Sequence, residues 1–335
     1  MKAAVFHGKH HISIEPQELS PLQPEEVRIQ VAACGICGTD QHIYHGQPGS
    51  AAVQPPLVLG HELSGVVVEI GSAVKSLKQG DRVSVDPNMY CGNCVYCRSG
   101  AVQLCDHLQA VGVTRGGGMG QYCNVPASNC YQLPDELSDV EGALVEPLGC
   151  VLHGCKKLDI RPIHSVLIIG GGFIGQLFLQ LMCSRAVKEV AVCEPVEAKR
   201  QSLLRLGASE VFSPQNEEEK ASWYDRADIV VECVGRKDSM EFAVQAASKG
   251  GQVLLFGVAA PSAEISVSPY LLFTKELKLM GSFINPHTHE EAIALIRRKV
   301  VEVEGLVSHR FELDQVPAVM ASYEGMNVAK GVIVY

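Results

Sequence analysis

In the first half of the chain, apolar positions gather into short β-rich runs broken by Gly and Pro, at residues 27–32, 65–70, 82–85 and 122–125. That texture predicts a small barrel. From about residue 148 the pattern becomes an alternation of apolar strands, at 165–169, 189–193, 228–232 and 252–256, with helix-length segments between them. This predicts a parallel, doubly wound sheet. Its last strand falls at 277–280, followed by a helix over 289–298 and a β-like end at 331–335 that can rejoin the first half. The fold class is therefore α/β, a β-rich domain plus a doubly wound parallel sheet, divided at 1–147, 148–284 and 285–335. A chain of 335 residues exceeds what one core usually holds, so two domains with a cleft between them are expected. The polar stretch 213–220 reads as a surface loop.

Residues 162–184 carry no Asp, Glu, Lys or Arg and are about long enough to span a bilayer. Gly170, Gly171, Gly172 and Gly175 at the centre, with β-branched residues before and a helical pattern after, instead predict a buried strand running into a helix over 173–185. A net charge of −9 gives no field for gathering nucleic acid or anionic membranes, so neither is expected as a partner. Only four apolar residues precede His7, Gly8 and Lys9, too few for the core of a signal peptide. Thirteen cysteines in such a chain suit reduced thiols, and a cytoplasmic location is expected.

Four of those cysteines, Cys91, Cys94, Cys97 and Cys105, have the order C-x2-C-x2-C-x7-C, the spacing of a tetrahedral all-thiolate zinc knot. Such a closed site is structural. Eight others, Cys34, Cys123, Cys130, Cys150, Cys155, Cys183, Cys193 and Cys233, read as small core residues.

Gly170 to Gly175 fit G-x-G-x-x-G between a strand and a helix, and Glu194 closes the following strand, which completes a dinucleotide-binding fingerprint. Gly170, Gly172, Phe173, Ile174 and Gly175 would form the phosphate turn. Glu194 would accept hydrogen bonds from the ribose hydroxyls and repel an extra phosphate, which favours NAD over NADP; Lys199 and Arg200 are the cations that could reach such a phosphate.

Cys37 with His42, and His61 with Glu62, lie in two glycine-flanked segments read as loops. On spacing alone they are either a catalytic metal site or ordinary packing and surface residues. Taken in order, residues 35–42, Gly60-His61-Glu62, the four-cysteine knot, Glu146-Pro147-Leu148 and the Gly170 to Gly175 turn resemble the zinc-dependent medium-chain dehydrogenases, in their sorbitol (polyol) and threonine dehydrogenase branch. The resemblance covers nearly the whole chain. It implies a GroES-like catalytic domain with a structural zinc lobe, split around a Rossmann domain that binds NAD, and a homotetramer. It makes Cys37 and His61 ligands of a catalytic zinc, Glu62 a ligand or close partner, and Glu146 the fourth partner, directly or through water. Thr39 matches the hydroxyl that takes the alcohol proton, and His42 a histidine that extends the relay toward solvent. The implied reaction is oxidation of a secondary alcohol of a polyol to a ketone.

Two positions depart from the sorbitol dehydrogenases. Ile284-Asn285 stand where those enzymes carry an Arg-Tyr pair near the substrate, and Ile43 replaces a tyrosine expected beside it. L-threonine or a vicinal diol such as butanediol is therefore the second substrate class. A catalytically silent dinucleotide-binding scaffold is the alternative of another kind.

Overall fold

The computed structural model describes the backbone of residues 1–335 and every side chain apart from that of Glu324. The chain divides into two units, Met1–Gly149 with Ile284–Tyr335, and Cys150–Phe283.

The first unit opens with β1 (Lys2–Gly8), β2 (His11–Pro16), β3 (Glu26–Ile36), α1 (Gly38–Tyr44), β4 (Leu57–Val58), β5 (Glu62–Ile70) and β6 (Arg82–Val85). It continues with β7 (Asn88–Met89), α2 (Val95–Arg98), β8 (Gln109–Ala110), β9 (Tyr122–Pro126), β10 (Cys130–Gln132), α3 (Asp139–Ala143) and α4 (Val145–Lys156), and the chain passes to the second unit within α4. The second unit holds β11 (Ser165–Ile169), α5 (Phe173–Ser184), β12 (Glu189–Cys193), α6 (Glu197–Arg205), β13 (Glu210–Phe212) and α7 (Glu217–Ala221). After these come β14 (Ala227–Glu232), α8 (Lys237–Ala246), β15 (Ala247–Leu255), α9 (Pro269–Lys275) and β16 (Lys278–Gly281). The first unit then resumes with α10 (His289–Arg297), β17 (His309–Phe311), α11 (Val316–Ser322) and β18 (Gly331–Val334).

Long β3 organises the first unit. It pairs antiparallel with β5, β9 and β18, so residues from both ends of the sequence share one sheet. Val27, Ile29, Leu63, Val83 and Ile333 fill its core with no exposed surface. At about 25 cal/mol per Å2 such buried side chains contribute roughly 1.5–3 kcal/mol each, which makes this sheet a firm base for a site. The second unit is a parallel sheet in the order β13-β12-β11-β14-β15-β16. β11 is buried along its whole length, because a sheet covered on both faces takes apolar residues on both.

Three expectations need correction. Residues 213–220 are not all loop: Asn216 Oδ1 accepts from the amide of Glu219 at 3.2 Å and starts α7, whose first turn of three glutamates suits the positive end of a helix. Cys183 is exposed near the end of α5, while Cys130, Cys150 and Cys233 are only partly buried. Residues 38–44 form a helix, not a loop. No helix among the described residues is long and apolar enough to cross a membrane, since 162–184 splits into β11 and α5.

Candidate active site

Cys37 caps the N-terminus of α1 directly after β3. The Asp40 carboxylate accepts from the Cys37 amide at 2.9 Å, which holds the first turn of α1 against the strand end. Gly35 on β3 lies opposite Glu62 at the start of β5, and a Cβ on Gly35 would fall 1.8 Å from Glu62 Oε2. Glycine is therefore required there, because the Glu62 carboxylate occupies the space a side chain would fill. Gly60, at φ +93°, makes the turn that delivers His61.

These elements bring a thiolate, an imidazole and a carboxylate together: donor atoms of Cys37, His61 and Glu62 lie within 4.8 Å of one another. Buried His61 has its Nδ1 3.6 Å from Asp40 Oδ1, and neither atom has a hydrogen-bond partner. Burial works to lower the His61 pKa, but the charges of Asp40 and Cys37 hold it well above the ordinary value. A mixed thiolate, imidazole and carboxylate set on buried, orphaned polar atoms fits a zinc ion.

Asp40 and Lys330 belong to this site and were not foreseen. Lys330 is buried, forms an ion pair with Glu62 and donates to the Ile36 carbonyl at 3.2 Å. Burial opposes its charge, yet Glu62 and Cys37 raise its pKa above the usual lysine range. Two signals could have found them: the three-residue spacing from Cys37 to Asp40, and a lone lysine directly before an apolar strand.

Thr39 and His42 sit one turn apart on α1, both partly exposed. Burial, then the neighbouring His45, lowers the His42 pKa. Glu146 is buried in the first turn of α4 and stands outside the Cys37, His61 and Glu62 group. His153 is further along α4, its pKa pushed down to about 4 by burial first and then by Lys157. Ile43 is in the hydrophobic core, and Asn285 is fully buried, accepting from Asn88 Nδ2 at 2.7 Å.

The sulfurs of Cys91, Cys94, Cys97 and Cys105 likewise lie within 4.8 Å of one another. Their own segment supplies N–H donors: the Cys94 amide to Cys91 Sγ at 3.4 Å, the Cys97 amide to Cys94 Sγ at 3.5 Å and the Cys91 amide to Cys105 Sγ at 3.3 Å. The amide of Cys97, then that of Asp106, pushes the Cys94 pKa down to about 6, which favours the thiolate a metal requires. Four thiolates in this arrangement fit a structural zinc.

In the second unit, Gly170 takes φ +100° and Gly172 caps α5. A Cβ on Gly175 would lie 1.9 Å from the Gly170 carbonyl, so the helix packs on its turn only as glycine. A Cβ on Gly172 would meet nothing within 4 Å, leaving open space at the helix N-terminus suited to a pyrophosphate. Phe173 and Ile174 follow in the first turn of α5. Glu194 is pinned beside the turn, accepting from the Gly171 and Val196 amides at 2.9 Å each. Arg200 is engaged with the Glu194 and Pro195 carbonyls at 2.7 and 2.8 Å, while Lys199 is partly exposed on α6.

Residues 23–135 match the alcohol dehydrogenase GroES-like domain family and residues 174–298 the zinc-binding dehydrogenase family. The chain is 33% identical to D-altritol 5-dehydrogenase of Agrobacterium fabrum, over 94% of each protein. It is 31% identical to human sorbitol dehydrogenase over 93% of this chain and 89% of that one. A zinc-binding dehydrogenase from Sinorhizobium meliloti, solved bound to NADP, superposes with a TM-score of 0.95 at 33% identity, covering 100% of this chain and 99% of that one. With both domains matched and the two donor clusters formed, the chain belongs to the zinc-dependent medium-chain dehydrogenases, in the sorbitol dehydrogenase-like branch.

Proposed function

We propose that the protein oxidises a secondary hydroxyl of a polyol or sugar alcohol to the ketone and passes the hydride to NAD. The observation that carries this reading is the convergence of Cys37, His61 and Glu62 next to a helix bearing Thr39 and His42 one turn apart. Zinc, when bound, supplies a Lewis acid that eases loss of the alcohol proton, and NAD supplies the hydride acceptor. Cys37 and His61 would hold the metal, with Glu62 as a further ligand or close partner and Glu146 as the fourth partner, directly or through water. Asp40 orients the His61 ring through Nδ1, as outer partners of metal-binding histidines do. Thr39 takes the alcohol proton at its hydroxyl oxygen, and His42, kept neutral by its lowered pKa, carries it toward solvent.

The sorbitol and altritol named in the relatives support a polyol substrate. Threonine or a vicinal diol is the second reading, favoured by Ile284-Asn285: where the polyol enzymes carry an Arg-Tyr pair, Ile284 supplies no guanidinium and Asn285 is buried against Asn88. An assay of pentitols, hexitols, diols and L-threonine separates the two. Turnover of polyols by the zinc-loaded protein supports the first, and turnover of diols or threonine alone sinks it.

NAD is preferred because the fixed Glu194 carboxylate accepts from ribose hydroxyls and repels a 2′-phosphate. The NADP in the Sinorhizobium relative makes this a sharp test. Glu194→Ser should narrow the preference, with Lys199 and Arg200 the cations available to the phosphate. An unchanged ratio of specificity constants removes Glu194 from the ribose.

β16 is an outer strand, and Tyr270 and Phe273 on the preceding α9 are 75% and 78% exposed, a surface suited to burial in a homotetramer. Light scattering tests this. None of the thirteen cysteines is in a disulfide, which supports a cytoplasmic location.

A further inference from the structure

Four of the twelve histidines, His7, His10, His11 and His45, collect around the β1–β2 hairpin and the end of α1, away from the donors assigned above. Two of them are brought into direct contact. His10 Nε2 and His45 Nδ1 are 2.8 Å apart, with the rings edge-on at 83°. His10 sits in the hairpin turn at φ +60°, a left-handed conformation. It is held there firmly. The His10 amide donates to the Tyr44 carbonyl at 2.8 Å, the Tyr44 hydroxyl donates to the His10 carbonyl at 3.4 Å, and the His45 amide donates to the Gln41 carbonyl at 3.0 Å.

Two ring nitrogens in contact can also serve as a pair of metal donors. Tetrahedral coordination at about 2.0–2.1 Å requires nitrogens about 3.3 Å apart, within reach of a small ring rotation. Exposed His10 and partly exposed His45 leave room for water to complete the shell, and a net charge of −9 favours cations. Lys9, whose stem packs at Gly46, carries a charge that opposes them.

We propose that His10 and His45 form a third metal site, open and two-coordinate from the protein, that takes a divalent ion of the zinc, nickel or copper class. Imidazole donors select these ions over magnesium or calcium. The bound ion ties the N-terminal hairpin to the C-terminal end of α1.

Calorimetric titration of the fully zinc-loaded protein with Zn2+, and separately with Ni2+, tests the site. One further ion per chain is expected, with a rise in melting temperature. His10→Asn, which keeps a residue tolerant of the left-handed turn, and His45→Gln should each abolish both effects, while the double variant His7→Gln, His11→Gln should keep them. No further ion in the wild type overturns the proposal. So does a third ion that persists in both the His10 and His45 variants, or one lost with His7 and His11.

Discussion

The sulfurs of Cys91, Cys94, Cys97 and Cys105 take their amide partners from residues 91–107, whereas Cys37, His61 and Glu62 depend on Asp40 in a following helix and on Lys330 near the other end of the chain. The knot is closed by its own loop and partly exposed. The active-site donors lie on the central sheet, where β3, β5 and β18 meet. A metal site that only has to hold structure can be local. One that must stay open for substrate borrows its rigidity and its charge balance from the rest of the fold.

The sharpest break of this comparison is to remove one donor from each site. Cys37→Ala should lose one zinc and nearly all turnover with the melting temperature little changed, while Cys94→Ala should lose the other zinc and chiefly stability. Metal analysis beside melting curves reads both. Wild-type zinc content and rate in Cys37→Ala would overturn the catalytic assignment.

Next in size is Thr39→Val, which keeps shape but removes the hydroxyl. The maximal rate should fall by about 10² to 10⁴ while zinc and NAD binding persist, and Thr39→Ser should retain activity. His42→Ala should cost less and be partly restored by a small external base. Equal rates for Thr39→Val and wild type, at saturating NAD, would leave the proton path elsewhere.

Lys330→Met probes the long-range half of the contrast. It strands the Glu62 carboxylate in a buried position, at a cost of about 3–5 kcal/mol in unfolding free energy, and should weaken zinc retention at Cys37 without touching the knot. Lys330→Arg should recover part of both. Denaturant unfolding that matches wild type would show that the ion pair is not needed.

The smallest effect near neutral pH is a pH dependence in the same long-range framework. His289 on α10 is fully buried, bonded to Ser84 on β6 at 2.8 Å, and burial pushes its pKa from 6.5 down to about 3. The folded state thus holds it neutral while the unfolded chain binds a proton below pH 6.5. Its contribution is complete above that value and is lost as pH falls from about 6.5 toward 3, by at most about 1.4 kcal/mol per pH unit. Melting curves across this window should flatten in His289→Gln, and an identical slope in the variant would count against the buried neutral ring.

Most of the parallel sheet was legible because β11 and β12 are buried apolar runs that occupy the residues their pattern predicts, whereas the three-residue β13 is too short to show a pattern and was not foreseen. β15 starts earlier than its apolar run, at Ala247, because polar Ser248 and Lys249 conceal a strand whose register is broken next to Ala227. Helix α1 was hidden for a different reason. Its glycine-flanked sequence looks like a loop, and its start rests on the bond between Asp40 and the Cys37 amide, which periodicity does not reveal. Candidate donors could be named from motifs, but Lys330 could not, since only the pairing of Gly331 with Ile36 carries it to Glu62. Ile43, which replaces a tyrosine expected from the resemblance, packs in the core, where an apolar side chain needs no polar partner.

The placement of Lys330 also orders events during synthesis. Residues 91–107 leave the ribosome with every partner the knot needs, so that loop can take up zinc while most of the chain is still being made. Glu62 must wait for its counter-ion until β18, the last strand, zips onto β3. Until β18 lies on β3, the Glu62 carboxylate has no counter-ion from Lys330, so its charge balance is set only when the two stretches of the first unit meet.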